Sequence, residues 1–201
     1  MKKGEKRKQD LLKIAYNMFL TRGYENTSVD EIIAEAGIAK GTYYYYFKSK
    51  EEMLEEVIGM MLESEAEVAR QIVGSDMSIP QKIVGIITSL RPAEEERPIE
   101  NALMQPENVI MHAKIKQKLV KIVVPILSEV VEEGIKEGIF QCEDIPERVR
   151  MLLMMSNELF DEADFSESDI RVFIDMTEKL LGAKPGTMGF ISALISRGGT
   201  E

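Results

Sequence analysis

One cysteine, one histidine and no tryptophan stand among the 201 residues of this chain. A lone thiol, Cys142, cannot close an internal disulfide and fits a reducing compartment. His112 alone offers neither a metal cluster nor an acid–base pair, and no glycine-rich phosphate loop is present. The acidic runs at Glu132-Glu133 and at residues 94–96 are neighbours in sequence, not carboxylates spaced across a cleft. The expectation is therefore no catalytic site, no metal, no cofactor and no enzymatic activity. No uncharged apolar run approaches the roughly 18 residues that a membrane span needs. The opening MKKGEKRKQD lacks the apolar core of a signal peptide, so a cytoplasmic protein is expected. With 7 prolines and 14 glycines, the chain is also too poor in both to be a repeat or low-complexity protein.

What the chain does have is charge, unevenly placed. Its 25 basic and 35 acidic residues give −10, which at first argues against a polyanionic partner. Residues 1–50, however, hold 10 basic and 6 acidic side chains, a balance of +4, leaving −14 for the remainder. Positive charge concentrated at one end, on an otherwise acidic chain, is what a nucleic-acid contact requires. Residues 2–8 form a basic arm, either a solvated, frayed terminus or a contact to phosphate or minor groove.

Residues 27–50, TSVDEIIAEAGIAKGTYYYYFKSK, organise the rest. Ser28 and Glu31 form a capping box, followed by an apolar stripe of Val29, Ile32, Ile33 and Ala36. Gly37 stands where a chain leaving a helix needs positive φ. A second helix starts almost at once. At about 100° per residue, Ala39, Tyr43 and Phe47 form its buried stripe, bordered by Tyr46. Lys40, Gly41, Thr42, Tyr44 and Tyr45 occupy the outer arc. Two exposed phenols beside a lysine and a glycine gain little from water. They gain from DNA, where hydroxyls and ammonium groups meet phosphates, Thr42 can read a base edge, and glycine admits a close backbone approach. The contacts expected are Thr27, Ser28, Lys40, Gly41, Thr42, Tyr44, Tyr45, Tyr46 and Lys50.

Residues 11–54 resemble the amino-terminal domain of the TetR family of transcriptional regulators. The features that carry the likeness are Phe19, Gly23-Tyr24, Thr27, residues 32–37, Lys40-Gly41, Tyr44, Phe47 and Lys50. The resemblance covers about a quarter of the chain. It implies a small-molecule pocket within the second domain, without saying which side chains line it.

A first helix over residues 9–22 supplies Leu11, Leu12, Ile14, Ala15, Met18 and Phe19 to cover the pair just described. Ser49 to Glu52 caps a long helix to about residue 73. Pro80 starts another, and residues 91–109, with three prolines, read as loops with a short helical piece. The longest apolar pattern runs from about 112 to 138 and contains Pro125, which should kink or bend it. Helices over about 146–160 and 168–181 each carry more apolar surface than one side needs, which suits a four-helix interface between two copies. The tail from 185 to 201 holds an apolar ISALI patch, to pack on its own chain or on a partner. Thirteen methionines, several clustered, are either ordinary gap-fillers or an adaptable apolar lining for a ligand.

The fold expected is all-α: a three-helix DNA-binding domain over residues 1–50, then a helical regulatory and dimerisation domain over 51–201. The function expected is a homodimeric repressor of operator DNA, released by a small apolar effector. The alternative is an acidic helical adaptor for a protein partner, with the helix-turn-helix serving only as a folding unit.

Overall fold

A computed structural model describes residues 3–160 and 165–196, and no strand occurs among the described residues. The helices are α1 (Lys3–Arg22), α2 (Val29–Glu35), α3 (Lys40–Tyr46), α4 (Lys50–Val73), α5 (Ile79–Ser89), α6 (Arg97–Leu103), α7 (Val109–Lys136), α8 (Ile145–Phe160), α9 (Glu167–Leu181) and α10 (Ile191–Ser196). Two short 3-10 turns, Glu94–Glu96 and Pro106–Asn108, flank α6. The chain divides into two compact units, residues 1–64 with 92–117, and residues 65–91 with 118–201.

In the first unit, Leu11, Leu12, Ala15 and Phe19 of α1 are buried with Ile32 of α2, Tyr43 of α3, Phe47, and Leu54 and Val57 of α4. Each large apolar side chain so enclosed contributes about 1.5–3 kcal/mol. The Phe19 ring stands edge-on to Tyr24 at 5.2 Å. Helix α1 begins at Lys3 rather than at the expected residue 9, so the described part of the basic arm is helical and not frayed. The cause is tertiary. The Lys8 ammonium pairs with Glu56 at 2.8 Å and lies 5.5 Å from the centre of the Phe47 ring. Within the same unit α1 also packs against α6, and the Tyr16 hydroxyl donates to Glu96 at 2.9 Å. Ile99, Ala102 and Leu103 of α6 are buried, so the stretch expected to be mainly loop carries a packed helix.

The second unit has its own core, including Ala66, Ile83, Ile86, Val130, Phe140, Val149, Phe173 and Leu181. Helix α7 continues through Pro125. Lys82 of α5 is buried and both oxygens of Glu133 in α7 accept from its ammonium, at 2.6 and 2.8 Å. Helices α8 and α9 pack on each other, leaving Met151, Met154, Val172 and Met176 exposed. The tail packs on its own chain: α10 lies against α9 and α5, with Met188, Ile191 and Leu194 buried. Polar groups fix it there. Arg91 donates to the Leu194 carbonyl, and the buried Glu178 carboxylate accepts the Met188 N–H at 2.9 Å.

Candidate nucleic-acid interface

The segment from Thr27 to Lys50 folds as helix, turn and helix because each junction is chemically specified. The Ser28 hydroxyl accepts the Glu31 N–H at 3.2 Å, and the Glu31 carboxylate accepts the Ser28 N–H at 2.8 Å. The Ser28 hydroxyl also donates to that carboxylate at 2.7 Å, and this bond first, then the one from the Ser28 N–H, holds the Glu31 carboxyl below its ordinary range. Gly37 takes φ +59°, and the next N–H, that of Ile38, returns to the Ile33 carbonyl at 3.2 Å. A left-handed residue followed by such a backward bond closes α2 and aims the chain into α3.

Helix α3 is anchored by two rings. Tyr43 and Phe47 are fully buried, and the Tyr43 hydroxyl donates to the Ser49 carbonyl at 3.2 Å. Burial, aided by nearby Tyr44, Glu51 and Glu52, pushes this phenol up to about 12. Ala39 does not join the buried stripe. It is the exposed residue preceding the first turn, because the helix begins one position later, at Lys40.

Above those anchors, Tyr44 is 48% exposed and Tyr45 81%, while Lys40 and Gly41 are exposed and Thr42 is half-buried. Apart from its chain neighbours and the backbone of its own helix, no heavy atom lies within 4 Å of where a Cβ on Gly41 would be, so a partner's backbone could come close at that point. Tyr46 is half-buried, its ring edge-on to Tyr45 at 4.9 Å. Ser28 is exposed at the start of α2.

Two of the expected contact residues are held within the unit. Thr27 is fully buried, and its hydroxyl donates to the Gly23 carbonyl at 2.8 Å. Lys50 is half-buried, with its ammonium 2.8 Å from the Tyr24 carbonyl oxygen and 4.0 Å from the centre of that residue's ring. Sequence reasoning also passed over Asp30. This acid of the first turn of α2 reaches across to the first residue of α3, its Oδ1 accepting from the Lys40 ammonium at 2.9 Å. Acids before the turn, at 30, 31 and 35, and lysines after it, at 40, 48 and 50, were the available signal, though they do not name the partners.

The family profile described as "Bacterial regulatory proteins, tetR family" matches residues 11–57, and that described as "Tetracyclin repressor-like, C-terminal domain" matches residues 93–178. The HTH-type transcriptional repressor KstR2 of Mycolicibacterium smegmatis is 36% identical over 101 residues, which are 50% of this chain and 49% of that protein. The match therefore spans about half the length of that relative. KstR2 of Rhodococcus jostii is 28% identical over 148 residues, 68% of this chain and 69% of that one. Among solved structures, RolR in complex with resorcinol superposes with a TM-score of 0.62 at 20% identity, covering 99% of this chain and 97% of its own.

Proposed function

The chain belongs to the tetR family of bacterial regulatory proteins, and from that premise we propose that it is a cytoplasmic, homodimeric repressor of operator DNA, relieved by a small apolar effector. The observation that carries the DNA contact is the exposed phenol pair Tyr44 and Tyr45, set beside Lys40 and Gly41 on a helix clamped from beneath by Tyr43 and Phe47. Ser28, Thr42 and Tyr46 complete the contact set. In this reading Lys50 turns toward phosphate while still braced on Tyr24, and Thr27 sets the pose of α2 from below. Functionally, residues 1–50 read DNA and residues 51–201 pair the subunits and respond to the effector.

Pairing through α8 and α9 is supported by the apolar residues those helices leave exposed. A twofold pair must place its recognition helices in successive major grooves, about 34–36 Å apart. An effector need only favour another spacing, and a coupling of about 1–3 kcal/mol shifts occupancy several-fold or more. Repression is supported by the names of the KstR2 relatives, and a compact effector by the resorcinol found in RolR.

The test is Tyr44→Phe with Tyr45→Phe, which removes two hydroxyls and leaves the packing intact. Binding to duplexes selected in vitro by the wild-type protein should weaken several-fold or more, by a similar factor for every selected sequence, as lost phosphate contacts require. Unchanged affinity and salt dependence would remove the tyrosines from the interface.

A further inference from the structure

The proposed contact set leaves out an acid that lies within it. Asp30 and Lys40 form an ion pair at 2.9 Å across the turn between α2 and α3, and their side chains are 75% and 62% exposed. A pair this open to water adds little to stability. Its position is harder to dismiss, since a carboxylate beside a DNA-contacting helix repels every phosphate that approaches. Only one class of group on a duplex rewards a carboxylate at that place. It is an exocyclic amino donor in the major groove, above all the N4 amino group of cytosine.

We propose that Asp30 is a base-reading residue, accepting a hydrogen bond from a cytosine amino group in each half-site while Lys40 holds and neutralises it. This inference rests on the reading of α2 and α3 as the DNA-binding element. The Lys40 ammonium has three donors, one of them spent on Oδ1 of Asp30, which leaves the others for a phosphate or a guanine edge. The carboxylate has four acceptor sites and spends one on Lys40, so its outer oxygen remains available. The pair therefore meets DNA as a donor and an acceptor side by side, with its charge nearly balanced. Against thymine O4 or guanine O6 the carboxylate faces an acceptor and is repelled. Against cytosine it is satisfied. Adenine offers its N6 amino group but sets the N7 acceptor beside it, so discrimination arises from attraction at cytosine, a mixed contact at adenine and repulsion at thymine and guanine.

In vitro selection from a random duplex pool tests this with wild type, Asp30→Asn, Lys40→Ala and Glu35→Gln, the last removing one charge from the same helix away from the pair. Wild type should enrich a C·G pair at one symmetry-related position in each half-site. In Asp30→Asn that preference should fall by about fivefold or more, and unselected DNA should bind more tightly. Glu35→Gln should keep the preference, whereas Lys40→Ala, which removes the group that holds and neutralises the carboxylate, should weaken it and lower the salt slope by about 1. An unaltered selected sequence in Asp30→Asn overturns the assignment. So does a preference lost in Lys40→Ala but kept in Asp30→Asn, which would give the reading to Lys40. If wild type selects no sequence at all, the DNA-binding proposal itself fails. If wild type selects a site that Asp30→Asn also selects, only the role of Asp30 does.

Discussion

A Cβ at position 182 would stand 2.0 Å from the carbonyl oxygen of Gln141, on a backbone already at φ +63°. Neither the clash with main chain nor the left-handed conformation can be relieved by a rotamer change. Gly182→Ala should therefore destabilise the fold by roughly 2 kcal/mol or more, read as a lower urea midpoint. Thr27 makes a milder case of the same kind. Its methyl group suits a fully buried position, and its hydroxyl has one partner, the Gly23 carbonyl. Thr27→Val keeps the shape and removes the bond, at an expected cost of about 1–2 kcal/mol in chemical denaturation. Under conditions where that variant is fully folded, DNA affinity should stay within about twofold of wild type, since the hydroxyl already has a partner beneath the surface. The apolar alternation of the sequence places Tyr43 and Phe47 inside correctly, because burial follows helical period. It cannot show that Lys50 finds the Tyr24 carbonyl or that Asp30 finds Lys40, since both contacts cross a turn whose geometry only the folded chain supplies.

Helix ends illustrate what local chemistry does specify. Ser28 with Glu31, and Ser166 with Asp169, lie three residues apart, and both close as reciprocal capping boxes. The Ser28 hydroxyl lowers the Glu31 carboxyl from its ordinary 4.5, and the Ser166 N–H, followed by the Ser166 hydroxyl, lowers that of Asp169 from 3.8. A carboxyl whose folded value is depressed stabilises above its unfolded value, and that contribution disappears as pH falls through the folded value. Stability should thus decline below about pH 4.5, less steeply in Ser28→Ala/Ser166→Ala than in wild type, when urea midpoints are followed with pH. Apart from α10, which the sequence showed only as an apolar patch, the helices were legible from period and caps, mostly to within a few residues at their ends. The start of α1 and the docking of α10 were not, because Glu56 and Phe47 fix the one, and Arg91 and Glu178 fix the other, from far along the chain. Between elements, the Lys82–Glu133 pair gives a sharper test. Removing Glu133 alone strands the buried ammonium of Lys82, whereas removing the ammonium strands only a carboxylate with access to water. Glu133→Gln should cost about 1–3 kcal/mol, and Lys82→Met should be close to neutral, in the same denaturation assay.

At the scale of the whole molecule, the proposed function assigns DNA affinity to the head, residues 1–50 with their balance of +4 against −14 beyond, and its useful magnitude to the pairing of two heads. A single head offers few phosphate contacts, and the salt dependence of binding scales with their number. Joining two heads turns the second contact into an intramolecular one, worth about 10²- to 10⁴-fold when the spacing fits. The surface proposed to join them is specific enough to break. Met154 of α8 is 59% exposed and Val172 of α9 is 61%, and Met151 and Met176 lie one helical turn from them on the same faces. In an isologous contact each residue meets the partner's copy of the same patch, so a charge placed there is buried twice over. Met154→Glu/Val172→Glu should therefore elute as a 22.7 kDa monomer in light-scattering chromatography, where wild type is expected at roughly twice that mass. Because both substitutions lie on outward faces, circular dichroism should show unchanged helix content. The monomer should bind a selected duplex about a hundredfold or more weakly, with a salt slope near half that of wild type. A variant that remains dimeric would move the pairing surface away from α8 and α9, and a monomer that binds as tightly as wild type would show that one head suffices.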